Sequence, residues 1–229
     1  MQQLILKTKE LPYDVEEEIK SLRTNIQLCG DDKRVILFTS CLANEGKSTT
    51  VRQISFSLAE LGKKVLLIDT DLRKSTVKNN VQTGQIKAGL THYLVGQSTM
   101  EQIIYQTQNE KMHIIPAGAL PPNPSELLSS QRMGELMKKA REEYDYVIVD
   151  AAPLGLVTDA AIVAQKCDGA ILLIESGVVK YRLAQEVLQK LNSTKCPVLG
   201  AVLNKVDRSA DHYYSYAKNY SERYQEYRK

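Results

Sequence analysis

TSCLANEGKSTT, residues 39–50, stands between the apolar run RVILFTS (34–40) and STTVRQISFSLAELG (48–62), whose apolar residues recur at helical spacing. A Gly-Lys-Ser turn that leaves a strand and opens a helix is the setting in which backbone N–H groups and the helix N-terminus cradle phosphate. Here Asn44, Glu45, Gly46, Lys47, Ser48 and Thr49 would form the cradle, with Lys47 reaching the outer phosphates and Ser48 ligating Mg²⁺. The first glycine of the usual G-x-x-x-x-G-K-S is replaced by Cys41. A plain strand-to-helix turn with an exposed lysine is the competing reading, and the strand–loop–helix context argues against it.

Outward from this loop, strand-like and helix-like segments alternate. KKVLLID (63–69) follows the first helix; KMHIIPAG (111–118), a helix over 123–144 and DYVIVDAAP (145–153) come next. A helix near 158–166, GAILLIES (169–176), a helix near 180–192 and CPVLGAVLN (196–204) complete the series. Strands that are apolar on both faces and alternate with helices predict an α/β fold of the P-loop NTPase kind, a mostly parallel central sheet covered by helices on both faces. Ligands of such sheets bind at the carboxyl ends of the strands.

Those strand ends are acidic. VIVDAAP places Asp150 at the end of one strand, and VLLIDTDLRKS places Asp69 and Asp71 at the end of another, followed by Arg73. Three carboxylates beside a phosphate loop repel one another unless a cation lies among them, which predicts Ser48, Asp69, Asp71 and Asp150 around Mg²⁺. Each aspartate could instead cap the next helix. That explanation suits one of them better than all three.

Composition narrows the classes. Of 229 residues, 43% are hydrophobic and 25% charged, the balance of one soluble domain, and no apolar run approaches the ~20 residues of a membrane span. The N-terminus lacks the apolar core of a secretory signal, so the expected location is the cytoplasm. Cys29, Cys41, Cys167 and Cys196 are scattered, which argues against a zinc or disulfide framework, and a formal charge of +3 is too mild to indicate nucleic acid. One region is unusual. Half of the twelve tyrosines, Tyr213, Tyr214, Tyr216, Tyr220, Tyr224 and Tyr227, fall in the last seventeen positions. Most recur at intervals of three and four, as in a docked helix, but among Ser, Lys, Asn, Glu, Arg and Gln they would bury little, as in a flexible tail of phosphate acceptors. The tail alone leaves both readings open.

Taken in order, EGKST, LLIDTDLR, DYVIVDAAP, LPPNPSELL (120–128) and the tyrosine-rich end resemble the bacterial tyrosine kinases of capsule and exopolysaccharide synthesis. The resemblance covers nearly the whole chain. It reads EGKST as Walker A, LLIDTDLR as the Walker A′ peculiar to these kinases and their relatives, and DYVIVDAAP as Walker B. Ala43 and Asn44 stand where the family usually carries Pro and Gly, and D-A-A-P replaces D-T-P-P. Asn44 accepts left-handed backbone better than most residues, so the loop can close.

The resemblance implies a single kinase domain over 1–210 and a tail over 211–229. It further implies ATP and Mg²⁺ as cofactors, and a ring, an octamer in the family, joined through VEEEIKSLRTNI (15–26) within a helix over 14–29. Glu17, Lys20 and Arg23 would lie at that interface, although solvated charge pairs along a helix are the commoner fate of such residues. It implies a separate membrane adaptor that recruits the chain to the inner face of the membrane, and a cognate tyrosine phosphatase. Asp69 is the expected acceptor of the tyrosine proton, with Asp71 the alternative, because a phenol of pKa ~10 needs a base beside it. Arg73 would steady the phosphate or the next subunit.

A regulatory P-loop ATPase of the partitioning or division-site type is the runner-up. Its early-loop lysine is Leu42 here. LNKVD (203–207) matches the guanine-reading N-K-x-D of GTPases, but Asp150 lacks the D-x-x-G that should accompany it, so Asn204 is read as an adenine contact. An inactive scaffold that keeps the fold is the third alternative.

Overall fold

The structure, a computed structural model, describes residues 2–7 and 11–207. In chain order the elements are β1 (Gln2–Gln3), β2 (Ile5–Leu6), α1 (Tyr13–Leu28), β3 (Val35–Ser40), α2 (Lys47–Glu60), β4 (Val65–Asp69) and β5 (Val81–Thr83). They continue as α3 (Leu90–Leu94), α4 (Met100–Ile103), β6 (Tyr105–Gln106), β7 (Met112–Ile115), α5 (Pro124–Ser129), α6 (Gln131–Glu143) and β8 (Tyr146–Asp150). The series closes with α7 (Asp159–Ala164), β9 (Gly169–Glu175), α8 (Tyr181–Asn192) and β10 (Val198–Asn204).

Eight strands form one sheet in the order β1-β6-β7-β4-β8-β3-β9-β10, parallel at every pairing except β6 with β7. β2 and β5 make a small antiparallel pair of their own. β3 is buried along its length, and alternate side chains enter opposite cores. Ile36 and Phe38 pack with Val51, Ile54 and Leu58 of α2, under α1, while Val35 and Leu37 face the apolar sides of α3 to α8. This two-sided burial explains why the central strands read as unbroken apolar runs. Truncating a fully buried side chain such as Phe38 to alanine would cost about 3–5 kcal/mol.

The expected elements are present with ends shifted by up to three residues, with one exception. The single helix expected over 123–144 is two helices. Ser130 is extended (φ −60°, ψ 157°), ends α5, and accepts a hydrogen bond from Met133 N–H at 3.4 Å as the cap of α6. Helical periodicity runs through this break because a capping serine interrupts the backbone without interrupting the apolar spacing. The short strands β1, β2, β5 and β6 escaped sequence reading, since two or three residues carry no period. Among the described residues no helix is long and apolar enough to cross a membrane. Tyr213, Tyr214, Tyr216, Tyr220, Tyr224 and Tyr227 lie outside the described residues.

Candidate active site

β3 delivers the phosphate loop to the middle of the sheet's C-terminal rim. The loop closes through two left-handed residues, Asn44 (φ 68°) and Gly46 (φ 90°). At Gly46 a Cβ would come within 2.3 Å of Asn204 Nδ2, so both conformation and space require glycine there. The first intrahelical bond of α2 is donated by Thr50 N–H to Gly46 O at 3.0 Å, which leaves the N–H groups at the helix head for a ligand.

The loop is braced from within. Glu45 is buried, and its carboxylate accepts from Leu42 N–H and, at 2.9 Å, from Glu175 N–H; burial raises its pKa above the usual carboxylate value. Asn204 Nδ2 donates to Glu45 O at 2.8 Å, and Lys205 Nζ donates to Asn44 O at 2.8 Å while pairing with Glu175 at 2.9 Å. LNKVD, the apparent guanine signature, is therefore a clamp beneath the phosphate loop. Asn204 spends its amide on the loop and does not line the cleft, and Glu45 offers the cleft its backbone and turns its carboxylate inward. Cys41 is fully buried, with a thiol pushed up to about 11 by burial and by Glu45, so it fills the missing glycine's position as a packing residue.

Lys47 opens α2 and forms an ion pair with Asp150, both side chains only 6% exposed, with Lys47 Nζ 3.4 Å from Ser48 Oγ. The β4–β8 register places Asp69 directly opposite Asp150. Asp69 is buried and accepts from Ser75 Oγ–H at 2.5 Å and from Asp71 N–H at 3.1 Å. Its pKa is raised to about 7, first by burial and then by the Asp150 charge, with Ser75 and Lys47 pulling the other way. Asp71 Oδ1 accepts from Arg73 N–H at 3.2 Å and Lys74 N–H at 2.9 Å, so this aspartate braces the turn that follows it.

Three features went unread in the sequence. Arg73 grips a buried carboxylate, Asp159, at the start of α7: Nε donates at 2.6 Å and Nη2 at 3.1 Å. Ser125 completes the clasp, donating to Asp159 at 2.6 Å and accepting from Arg73 Nη2 at 3.2 Å. Its only sequence signal was the NPSELL stretch at 123–128. Arg52, one turn along α2, lines a water-sized space with Ser48, Asp69 and Asp150. Burial lowers its pKa while the Asp150 charge opposes that. On the outer side, residues 42–49, Asp71, Arg73 and Lys74 and the segment from Ala152 to Val157 border an open cleft of about 520 Å³.

The donor set suits a hard cation and a triphosphate. Ser48 supplies a hydroxyl at the helix head, and Asp150 and Asp71 supply carboxylate oxygens. Among the described residues no three His, Cys, Asp or Glu side chains converge to cage a metal without help. A P-loop Mg²⁺ takes most of its ligands from phosphate and water and does not require such a cage.

The predicted interface residues lie away from this cleft, on α1. Lys20 pairs within its own helix with Glu16 and Glu17, both at 2.8 Å. Arg23 donates across to Ser57 O at 3.1 Å and Ser57 Oγ at 2.9 Å.

Comparison with known proteins bears on this geometry. Residues 33–195 match the model of a family described as AAA domain. Over 209 residues the chain is 38% identical to the tyrosine-protein kinase CpsD of Streptococcus agalactiae, covering 91% of this chain and 90% of that one. The chain belongs to the bacterial tyrosine-kinase family. Within that family, the kinase domain of the Escherichia coli tyrosine kinase ETK superposes with a TM-score of 0.81 at 29% identity, covering 90% of this chain and 84% of that one. The septum site-determining protein MinD of Pyrococcus horikoshii, solved with Mg-ADP, superposes less closely, with a TM-score of 0.66 at 27% identity over 77% of this chain and 72% of that one. The fold is thus shared with division-site ATPases, and the fuller match is to the kinases.

Proposed function

We propose that this chain is an ATP-dependent protein-tyrosine kinase that phosphorylates the tyrosine cluster of a neighbouring copy and so regulates capsule or exopolysaccharide synthesis and export. The observation that carries the reading is the convergence, at one rim of the sheet, of the orphan N–H groups at the head of α2, Lys47 and the opposed pair Asp69 and Asp150. Together they provide a phosphate seat with carboxylates beside it, as a phosphoryl transfer to a phenol requires.

Backbone amides of 44–49 and Lys47 would hold the β- and γ-phosphates. Mg²⁺, held through Ser48 and by Asp71 and Asp150 through water, would neutralise the phosphate charge. Asp69 would accept the phenolic proton as the tyrosine oxygen bonds to the γ-phosphorus and the bond to the bridging oxygen breaks, releasing ADP. Arg73, held by Asp159, fixes the outer wall.

Several finer points rest on this reading. Residues 1–210 act as one catalytic domain, and 211–229 as the acceptor segment. Unphosphorylated copies form a ring through α1. Arg23 Nε is buried without a hydrogen-bond partner, and a carboxylate such as Glu17 of the next copy would supply one. Each phosphotyrosine adds roughly −1.5 to −2 charges, so phosphorylation of several would disperse the ring. A membrane adaptor would recruit the otherwise cytoplasmic chain and activate it, and a tyrosine phosphatase would reset it.

The test is incubation of purified protein with ATP and Mg²⁺ followed by mass spectrometry of residues 211–229. Phosphotyrosine in the unmodified chain and none in Lys47→Met is the expected result. ATP hydrolysis without phosphotyrosine, even with an adaptor peptide present, would favour the regulatory ATPase instead.

A further inference from the structure

The cleft has one wall that phosphate chemistry does not use. Leu156 is 58% exposed, and with Leu42, Pro153 and Val157 it borders the cleft that Asp71, Arg73 and Lys74 also line. This turn is held rigidly. Leu154 N–H donates to Ser40 O at 2.9 Å, Thr39 Oγ1–H donates to Ala152 O at 2.8 Å, and Leu156 and Val157 N–H both donate back to Pro153 O at 3.0 and 3.1 Å. Gly155 lies so close to the phosphate loop that a Cβ there would come within 2.0 Å of Cys41 O. The wall therefore keeps a fixed position relative to the phosphate seat.

An exposed apolar surface held rigidly beside a transfer site has a physical use only if something apolar packs on it. Nucleotide phosphates gain nothing there. We infer that Leu156, with Pro153 and Val157, is the surface on which the aromatic ring of the acceptor tyrosine, presented by residues 213–227 of a second copy, packs to bring its hydroxyl to the transferred phosphate. This inference rests on the kinase reading above and adds to it the residues that select a ring-bearing acceptor. The occupant follows from the chain itself. Tyrosine is the one large apolar residue in residues 211–229, which hold no Leu, Ile, Val or Phe. Lys74, which also borders the cleft, suits the glutamates of the same stretch. A serine or threonine side chain carries no ring to lay on such a wall, so the wall would also discriminate against those acceptors.

The test uses full-length chains. A tagged Lys47→Met chain serves as acceptor, and Leu156→Ala, Leu156→Asp and Leu156→Met chains serve as kinases beside the unmodified one. Being exposed, Leu156 can be changed without unfolding the domain, which circular dichroism would verify. The expected result is a rise in KM for the acceptor of at least tenfold in Leu156→Ala and more in Leu156→Asp, with KM for ATP moving less than threefold. Leu156→Met should restore acceptor KM to within about threefold. Acceptor KM values matching the unmodified kinase would overturn the inference and leave the kinase reading standing. So would a loss of oligomer by light scattering without a change in acceptor KM, which would make this wall a contact between domains. No phosphotyrosine from the unmodified kinase would remove both readings together.

Discussion

Two buried carboxylates at the same rim of the sheet are treated in opposite ways. Asp159 accepts both donors of the Arg73 fork and the Ser125 hydroxyl, and although burial pushes its pKa upward, those bonds bring it below the usual aspartate value. Asp69 faces a second carboxylate across the sheet and receives one hydroxyl and one amide, and its pKa climbs to about 7. The first arrangement neutralises its charge and serves as a clasp between the 71–74 segment, α5 and α7. The second leaves the charge incompletely satisfied, which is costly to the fold and useful for chemistry.

Experiments can break or sharpen this contrast. The largest effect should come from Lys47, the cation that makes the Asp69–Asp150 pair tolerable and reaches for phosphate: Lys47→Met is expected to lower tyrosine phosphorylation by on the order of 10³-fold or more, read by phosphotyrosine formation. Next, Asp69→Asn should lower the rate roughly 10²- to 10⁴-fold, as loss of a general base does. The same substitution should raise thermal stability. A raised carboxyl pKa means that protonation favours the folded form, so Asp69 destabilises increasingly as pH rises from about 4 through about 7. Asp69→Asn at pH 8 should therefore gain on the order of 1 kcal/mol, or roughly 2–4 °C in Tm for a domain of this size.

Asp159→Ala should do the reverse. Removing the neutralised carboxylate leaves Ser125 and Arg73 without their acceptor, an expected loss of about 1–3 kcal/mol in denaturant unfolding, with a smaller fall in phosphorylation rate. If Asp69→Asn destabilised as much as Asp159→Ala, the distinction between the two sites would fail. The smallest effect belongs to Ser75→Ala. Ser75 holds the Asp69 pKa down, so its removal should move the rising limb of the phosphorylation pH profile to higher pH. A limb that stays in place would separate Asp69 from the proton transfer.

Much of the site was legible because its residues are close in sequence and punctuated by glycine and by strand ends. Asn44, Gly46, Lys47 and Ser48 belong to one loop whose strand–loop–helix setting is local, and Asp69 and Asp150 end apolar runs. Other parts depend on partners far along the chain. Arg73 was assigned to phosphate or the next subunit, yet its carboxylate partner is 86 residues away. Asn204 was read as an adenine contact, yet its amide goes to Glu45 O, 159 residues away. Both contacts have the same origin, since a long polar side chain finds whichever partner the fold brings within about 3 Å. Arg23, expected at an interface between copies, likewise hydrogen-bonds to Ser57 on α2.

The amino-acid sequence by itself determined the layered architecture, the position of the phosphate loop and the acidic strand ends, because apolar period, glycine conformation and helix-opening turns act over a few residues. Only the tertiary structure decided which carboxylate is neutralised and which is left poised near neutrality, that LNKVD clamps the loop, and that Leu156 stands bare in the cleft. Charge state and exposure are properties of neighbours in space, and those neighbours come from strands and turns far apart along the chain.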